Sequence, residues 1–331
     1  MDMHKWSLRV AAAALLCALV FRLGSSGVFQ AAAQSLVSAD ALSVMLFLES
    51  GWLLRPAPQV QPEETQPAPT QPQQTLPPPE AAPAVFRQED SRLVEVNSYC
   101  GYKADVPAMI LQPLQWDLQQ SEPTVLIVHS HGSESYEKTE NYEESSRYRT
   151  LNTDYNMISV GAELKEILQA GGITVIHDTT MHDQPSYNAS YSQSRKSVKA
   201  YLQQYPSICL VLDLHRDAVE NSQGKQVKFT AKKDGMTAAQ LMLVVGTDVR
   251  LNHPDWPENM SLAVKLHALL EKDFPGICRP ISFRSQRFNQ DLSPGALLVE
   301  VGSAGNTRQE ALAAVRVLGK AVLELSKGSA Q

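Results

Sequence analysis

The sequence predicts an α/β fold: a three-layer domain with a mostly parallel sheet, preceded by a single membrane anchor and a Pro-rich stalk. Three observations carry this. Short apolar runs rich in β-branched residues (Val125 to Val128, Ile173 to Ile176, Ile208 to Leu214, Ala296 to Val301) alternate with stretches whose apolar residues recur at helical spacing. That is the pattern of strands buried on both faces and of the helices that connect them. A separate apolar run, Val10 to Phe21, follows His4, Lys5 and Arg9. Between the two lies a tract dominated by Pro, Gln, Glu and Thr.

Counted from Trp6 to Leu23, with Arg9 and Arg22 snorkelling outward, the first run is just long enough to span a bilayer. Residues 1–27 are therefore read as a cytoplasmic stub and membrane anchor. The alternative is a cleaved signal peptide with Ala31-Ala32-Ala33 as its cleavage site. Either way the basic flank stays inside, so the bulk of the chain is exported; the expected location is the cell membrane, single-pass, with the domain on the extracytoplasmic side. Residues 28–55 are apolar and loosely amphipathic, and Asp40 and Glu49 argue against a second span. Residues 56–85, with Pro77-Pro78-Pro79, cannot bury a core and are read as an extended Pro/Gln-rich linker. The globular domain occupies 86–331.

Composition narrows the function. A formal net charge of -6 argues against a nucleic-acid binder. The four cysteines, Cys17, Cys100, Cys209 and Cys278, form no CxxC pattern, so neither a zinc ribbon nor a disulfide scaffold is implied.

Within the domain, Arg92 to Tyr102 and Met109 to Leu114 are read as a strand and its lead-in. Val125 to Val128 is the central strand, and the polar stretch Tyr136 to Asn156 after it is long enough to suggest a functional loop or lid. Met157, Val160, Leu164, Ile167 and Leu168 mark a helix closed by Gly171-Gly172. Ile173 to Ile176 completes a β-α-β unit, hence a parallel pair. A polar stretch with Tyr187 and Tyr191 then leads into a helix stopped at Pro206. Strands follow at Ile208 to Leu214, Gln226 to Thr230 and Leu241 to Val245, then a helix from Met260 to Phe274 in which His267 is read as a surface or core histidine. Ala296 to Val301 and a C-terminal amphipathic helix finish the chain.

The chemistry gathers at three strand ends, where an open α/β sheet binds its ligands. These hold His129 and His131 with Glu134, then His215 with Asp213 and Asp217, then Glu300. Two histidines and a carboxylate that leave one position open describe a catalytic zinc site. On a regular strand His129 and His131 would share a face, but a turn at Gly132 should break that regularity, so one of the two is expected to ligate. Glu300, flanked by apolar strand residues, should have a raised pKa suited to general-base work; the bland reading pairs it with Arg284 or Arg287. Arg216 could bind a substrate carboxylate or steady an oxyanion, or pair with Asp213 or Asp217. No G-x-S-x-G elbow is present for a serine hydrolase, and neither GxxxxGK[ST] nor GxGxxG for a phosphate loop.

Taken together, the segments His129-Ser130-His131-Gly132-Ser133-Glu134-Ser135-Tyr136, Val175-Ile176-His177-Asp178 with His182-Asp183, Leu212 to Ala218, and Leu298 to Gly302 resemble the stage II sporulation protein P family. The resemblance spans roughly Pro123 to Lys327 and extends to the anchor and stalk. Members are similar to zinc-dependent N-acetylmuramoyl-L-alanine amidases of peptidoglycan and are credited with cutting peptide cross-links. The resemblance implies zinc as cofactor, peptidoglycan as substrate and a sporulation lytic transglycosylase as partner during engulfment. It makes His131 and His215 zinc ligands and Glu300 the catalytic carboxylate. The usual amidase pattern places a glutamate ligand just before the first helix. Here that vicinity holds Asp154, whereas Glu134 sits three residues after His131, so the third ligand is Glu134 or Asp154. A catalytically silent cell-wall-binding or scaffolding protein of the same fold is the alternative function.

Overall fold

The structure, a computed structural model, describes residues 85–114 and 117–327. The expected anchor, the segment 28–55 and nearly all of the linker lie outside the described residues. Among the described residues no helix is long and apolar enough to cross a membrane.

Seven strands form one sheet: β1 (Val96–Ser98), β2 (Val125–Val128), β3 (Val175–His177), β4 (Leu210–Asp217), β7 (Leu241–Val245), β8 (Ile281–Phe283) and β9 (Ala296–Ser303). Their spatial order is β1-β8-β7-β9-β4-β2-β3, and β5 (Thr230–Lys233) with β6 (Met236–Ala239) make a separate antiparallel hairpin. Every pair in the large sheet is parallel except β7 with β9. The main helices are α1 (Val106–Met109), α2 (Met157–Ala170), α3 (Ser190–Gln204), α4 (Trp256–Asp273) and α5 (Arg308–Lys327). Asn156 starts α2 by accepting the amide of Ile158 on its side chain, satisfying one of the donors a helix start leaves free.

The two faces of the sheet are covered unequally. Alternate strand residues Val125, Ile127, Leu210, Leu212, Leu214, Leu297 and Val299 join the large core with α2, α4 and α5. The other alternation, Leu126, Val128, Val211 and Ala296, meets only Val198 of α3 and its neighbours in a small cluster. Period-two alternation puts Asp213, His215 and Glu300 on that second, thinly covered face. Fewer apolar groups there leave room for polar chemistry.

The structure refines several sequence expectations. β4 runs on to Asp217, so His215 and Arg216 lie within the strand, because β9 continues to pair beside it. Only Val96–Ser98 of the expected first strand forms, and Met109 ends the short helix α1. Gln226 makes just an isolated bridge with Glu220, while the hairpin starts at Thr230. The strand Ile281–Phe283 has no counterpart in the sequence reading; three residues are too few to show a period.

Candidate active site

His129 and His131 diverge, as a turn at Gly132 requires. His129 points toward α2: a Cβ at Gly161 would stand 2.5 Å from its Nε2. Its Nδ1 lies 3.1 Å from the Leu214 carbonyl and its Nε2 lies 2.9 Å from Nε2 of His177. A carbonyl only accepts, so His129 carries its proton on Nδ1 and its Nε2 accepts from His177. Burial, and then the facing His177, lower its pKa to about 3. Both nitrogens of His129 are thus engaged in holding the fold.

His131 turns the other way, toward His215, with ring centroids 5.2 Å apart. Tyr187 stacks on it at 4.3 Å and Tyr191 meets it edge-on at 5.4 Å. It is buried, and its Nδ1 has no hydrogen-bond partner. An imidazole nitrogen in that position calls for an explanation.

Glu134 divides its two oxygens. Oε1 receives Arg216 and Arg149, each at 3.3 Å, while Oε2 accepts the Arg216 amide at 3.2 Å and faces Nδ1 of His215 at 3.5 Å. Burial alone would raise its pKa; Arg216 and His215 outweigh burial and hold it down to about 2. Arg216 further donates to the carbonyls of Ser135 and Tyr148, each at 2.9 Å. The pairing with Asp213 or Asp217 does not occur, since Asp217 binds Arg279 at 2.7 Å. Asp154 is exposed.

His215 stands between two carboxylates. Its Nε2 lies 2.9 Å from Asp213 Oδ1, near in distance but outside hydrogen-bond alignment. Asp213 is itself fixed by Ser130, whose amide donates to Oδ1 at 2.8 Å and whose hydroxyl donates to Oδ2 at 2.6 Å. Burial opposes a charge on His215, but Asp213 and Glu134 raise its pKa well above the ordinary value.

Glu300 is the Cα partner of His215 across the β4/β9 ladder. Its Oε2 is buried without a partner, and burial, with a further push from Glu134, raises its pKa to about 8. The alternative pairing of Glu300 with an arginine does not form: Arg287 binds Asp291, and Arg284 lies over the ring of Tyr99. Just beyond, the ladder slips from His215 opposite Glu300 to Asp217 opposite Ser303, with Gly302 at φ 72. A bulge of this kind re-aims side chains at a strand end, and glycine is the residue that takes a positive φ without strain.

Sequence reasoning missed Arg149 and the placement of Tyr187 and Tyr191, and named Asp183 within a motif without giving it a role. Arg149, from the long polar loop, binds both Glu134 and Asp183, the latter at 3.2 Å, and its guanidinium lies 4.5 Å from the Tyr187 ring centroid. A polar loop gives no period from which such a contact could be read.

Among the described residues no three His, Cys, Asp or Glu side chains are grouped so as to hold a metal ion. Two donors nevertheless have the spacing of zinc ligands. Two donors on a tetrahedral zinc, each bonded at about 2.0–2.2 Å, stand about 3.3–3.6 Å apart. Glu134 Oε2 and His215 Nδ1 have that spacing, and the unpartnered His131 Nδ1 belongs to a ring beside them.

Comparison with known proteins agrees with the family resemblance. The chain is 27% identical over 231 residues to Stage II sporulation protein P of Bacillus subtilis (strain 168), covering 63% of this chain and 54% of that relative. It therefore spans about half the length of the curated relative it matches. A crystal structure of N-acetylmuramoyl-L-alanine amidase from Clostridium difficile 630 aligns with 61% of this chain and 96% of its own, at 16% identity and a TM-score of 0.31, a superposition too loose to bear on the site. Residues 56–323 match the family described as Stage II sporulation protein P (SpoIIP), and the chain belongs to that family.

Proposed function

We propose that this protein is a membrane-anchored peptidoglycan hydrolase that acts in sporulation. It cleaves the amide between the lactyl group of N-acetylmuramic acid and L-alanine, and peptide cross-links as well, beside a partner lytic transglycosylase. The cofactor is zinc, held by His131, Glu134 and His215. The observation that most supports this is the 3.5 Å spacing of Glu134 Oε2 and His215 Nδ1 next to a buried, unpartnered carboxylate oxygen of Glu300.

Bound zinc lowers the pKa of water from about 15.7 to about 7 and polarises a carbonyl. The rest of the chemistry belongs to this chain. Glu300 takes a proton from the attacking water and returns it to the departing amine, so water and amide become carboxylic acid and amine. Its raised proton affinity suits a group that must both accept and release. Arg216 and Arg149 fix Oε1 of Glu134, while Oε2, which accepts the Arg216 amide, faces His215 with a lone pair left to ligate. Arg216 thereby acts on the substrate through Glu134 and the loop carbonyls.

Glu300→Gln keeps shape but cannot accept the proton, and should lower release of soluble stem peptides from purified cell wall by about 10²–10⁴-fold. Zinc content and wall pull-down should persist. Near-wild-type release removes Glu300 as the base. Wall binding without any release by the unaltered chain favours the silent scaffold.

A further inference from the structure

We propose that Asp183 is a positioning residue of the site: it holds Ser133, and through Ser133 it sets where His131 and Glu134 stand. This rests on the zinc amidase reading above. His131 and Glu134 are the two ends of a tight turn after β2, closed by the Glu134 amide donating to the His131 carbonyl at 3.1 Å. Gly132 and Ser133 lie between them. A turn of two central residues makes a single closing hydrogen bond, so the place of both ends depends on what grips those two residues.

Both are gripped by one segment, the chain after β3. The Asp183 side chain is wholly buried; its Oδ2 accepts the Ser133 hydroxyl, and the Ser133 amide at 3.2 Å. A Cβ on Gly132 would stand 3.0 Å from Sδ of Met181, so Met181 closes directly on the bare backbone. Asp183 also reaches Glu134 by a second route. Its Oδ2 anchors Nη1 of Arg149 at 3.2 Å, and Nη2 of that guanidinium meets Oε1 of Glu134 at 3.3 Å. The backbone before Glu134 and the head of its side chain are thus tied to a single carboxylate.

The segment itself is fixed to the sheet. The Asp178 amide donates to the Ile127 carbonyl at 2.9 Å, which carries the pairing of β2 with β3 one residue further. Asp178 accepts the Thr180 amide on Oδ1 and Nε2 of His182 on Oδ2, both at 3.0 Å; a carboxylate only accepts, so the histidine donates. Asp178, His182 and Asp183 are all buried, out of reach of a polymeric substrate. The motif His177-Asp178 with His182-Asp183 therefore serves the end of β2: His177 meets His129, Met181 meets Gly132, and Asp183 meets Ser133.

The test uses the full chain with Asp183→Ala, Asp183→Asn, Ser133→Ala and the double variant of Asp183→Ala with Ser133→Ala. Zinc affinity is measured by chelator competition, and visible absorption of the cobalt-loaded protein reports ligand geometry. Asp183→Ala should weaken zinc by about 10–100-fold, the usual effect of removing a group that orients a ligand, and lower the absorption of the tetrahedral cobalt site. Asp183→Asn keeps an oxygen for the Ser133 hydroxyl and amide and should restore most of both. The double variant should lose less than the sum of the single losses, because one contact is broken from either side. Unchanged zinc affinity in Asp183→Ala, equal losses in Asp183→Ala and Asp183→Asn, or additive losses in the double variant overturns the proposal. If Asp183→Ala does not fold, Ser133→Ala decides, and unchanged affinity there overturns it. An unaltered chain that binds no zinc ends the zinc amidase reading and this proposal together; zinc held equally with and without Asp183 ends this proposal alone.

Discussion

His215 and Glu300 are direct partners in the parallel ladder between β4 and β9. Direct partners on neighbouring strands are about 4.8 Å apart and point to the same face. The proposed metal ligand and the proposed base are thus separated by one strand spacing, set by backbone hydrogen bonds, and loop motion does not alter it. Precision at this pair comes from the sheet. Glu134 and Arg149, in contrast, depend on the turn after β2 and on the polar loop.

The proposed site makes a direct prediction for the donors. The purified chain should hold about one zinc, and Glu134→Ala or His215→Ala should lose it while the fold persists, because two remaining ligands bind far more weakly. Asp154→Ala should keep the metal. Without metal, His215 is held protonated between Asp213 and Glu134, and zinc must displace that proton. Affinity should therefore rise with pH, by about 10–100-fold from pH 6 to pH 8. Metal analysis and titration decide both points; zinc retained by His215→Ala excludes that ligand.

Arg149→Gln tests the loop. Glu134 would keep Arg216 but lose its second guanidinium, and Asp183 would lose its cation. Outer-shell changes of this kind typically lower metal affinity by about 10–100-fold, and a competition assay with a chelator measures it. An unchanged affinity means Arg149 serves the loop alone.

Gly161 admits no side chain. A Cβ there would meet Nε2 of both His129 and His177 at 2.5 Å. Gly161→Ala should destabilise the domain by about 1–3 kcal/mol, the ordinary cost of overpacking, despite the better helix propensity of alanine. Chemical denaturation reads the change, and an unshifted midpoint refutes the close fit.

The His129–His177 pair also predicts acid sensitivity. The pKa of His129 is lowered to about 3 and that of His177 to about 4, burial being the first cause for each. The unfolded chain binds protons near pH 6.5 where the folded pair does not, so stability falls as pH drops below that value and is kept above it. His215, with its pKa raised, changes in the opposite sense but by less over this range. Metal-free protein should lose on the order of 2 kcal/mol through His129 between pH 7 and pH 5. His177→Gln preserves a donor to His129 Nε2 and should reduce the loss; an identical pH profile removes the pair as its source.

Legibility followed periodicity and motif. The buried strands and long helices announced themselves through unbroken apolar runs and helical repeats, and the strand ends at His131, His215 and Glu300 came with them. The three-residue strand at Ile281 could not, being too short to show any period. Nor could the partners of Arg216, since a guanidinium reaches carbonyls of residues 135 and 148 whose positions depend on how the loop folds back. His129 and His131, equivalent on paper, were separated only by the turn that sends one toward Gly161 and the other toward Tyr187.

The ladder joining β4 to β9 also sets a time order. β4 pairs early residues of the domain on one side, through β2, and on the other side a strand much later in the chain. Val211 finds its neighbour Ala296 only after the hairpin, β7, α4 and β8 have been made. A growing chain therefore lacks the proposed base until translation has passed Glu300, and the pairing of His215 with Glu300 cannot form in any product that stops short of it. If the chain cuts the wall as proposed, this late closure of the sheet leaves copies that stop short of Glu300 without their base.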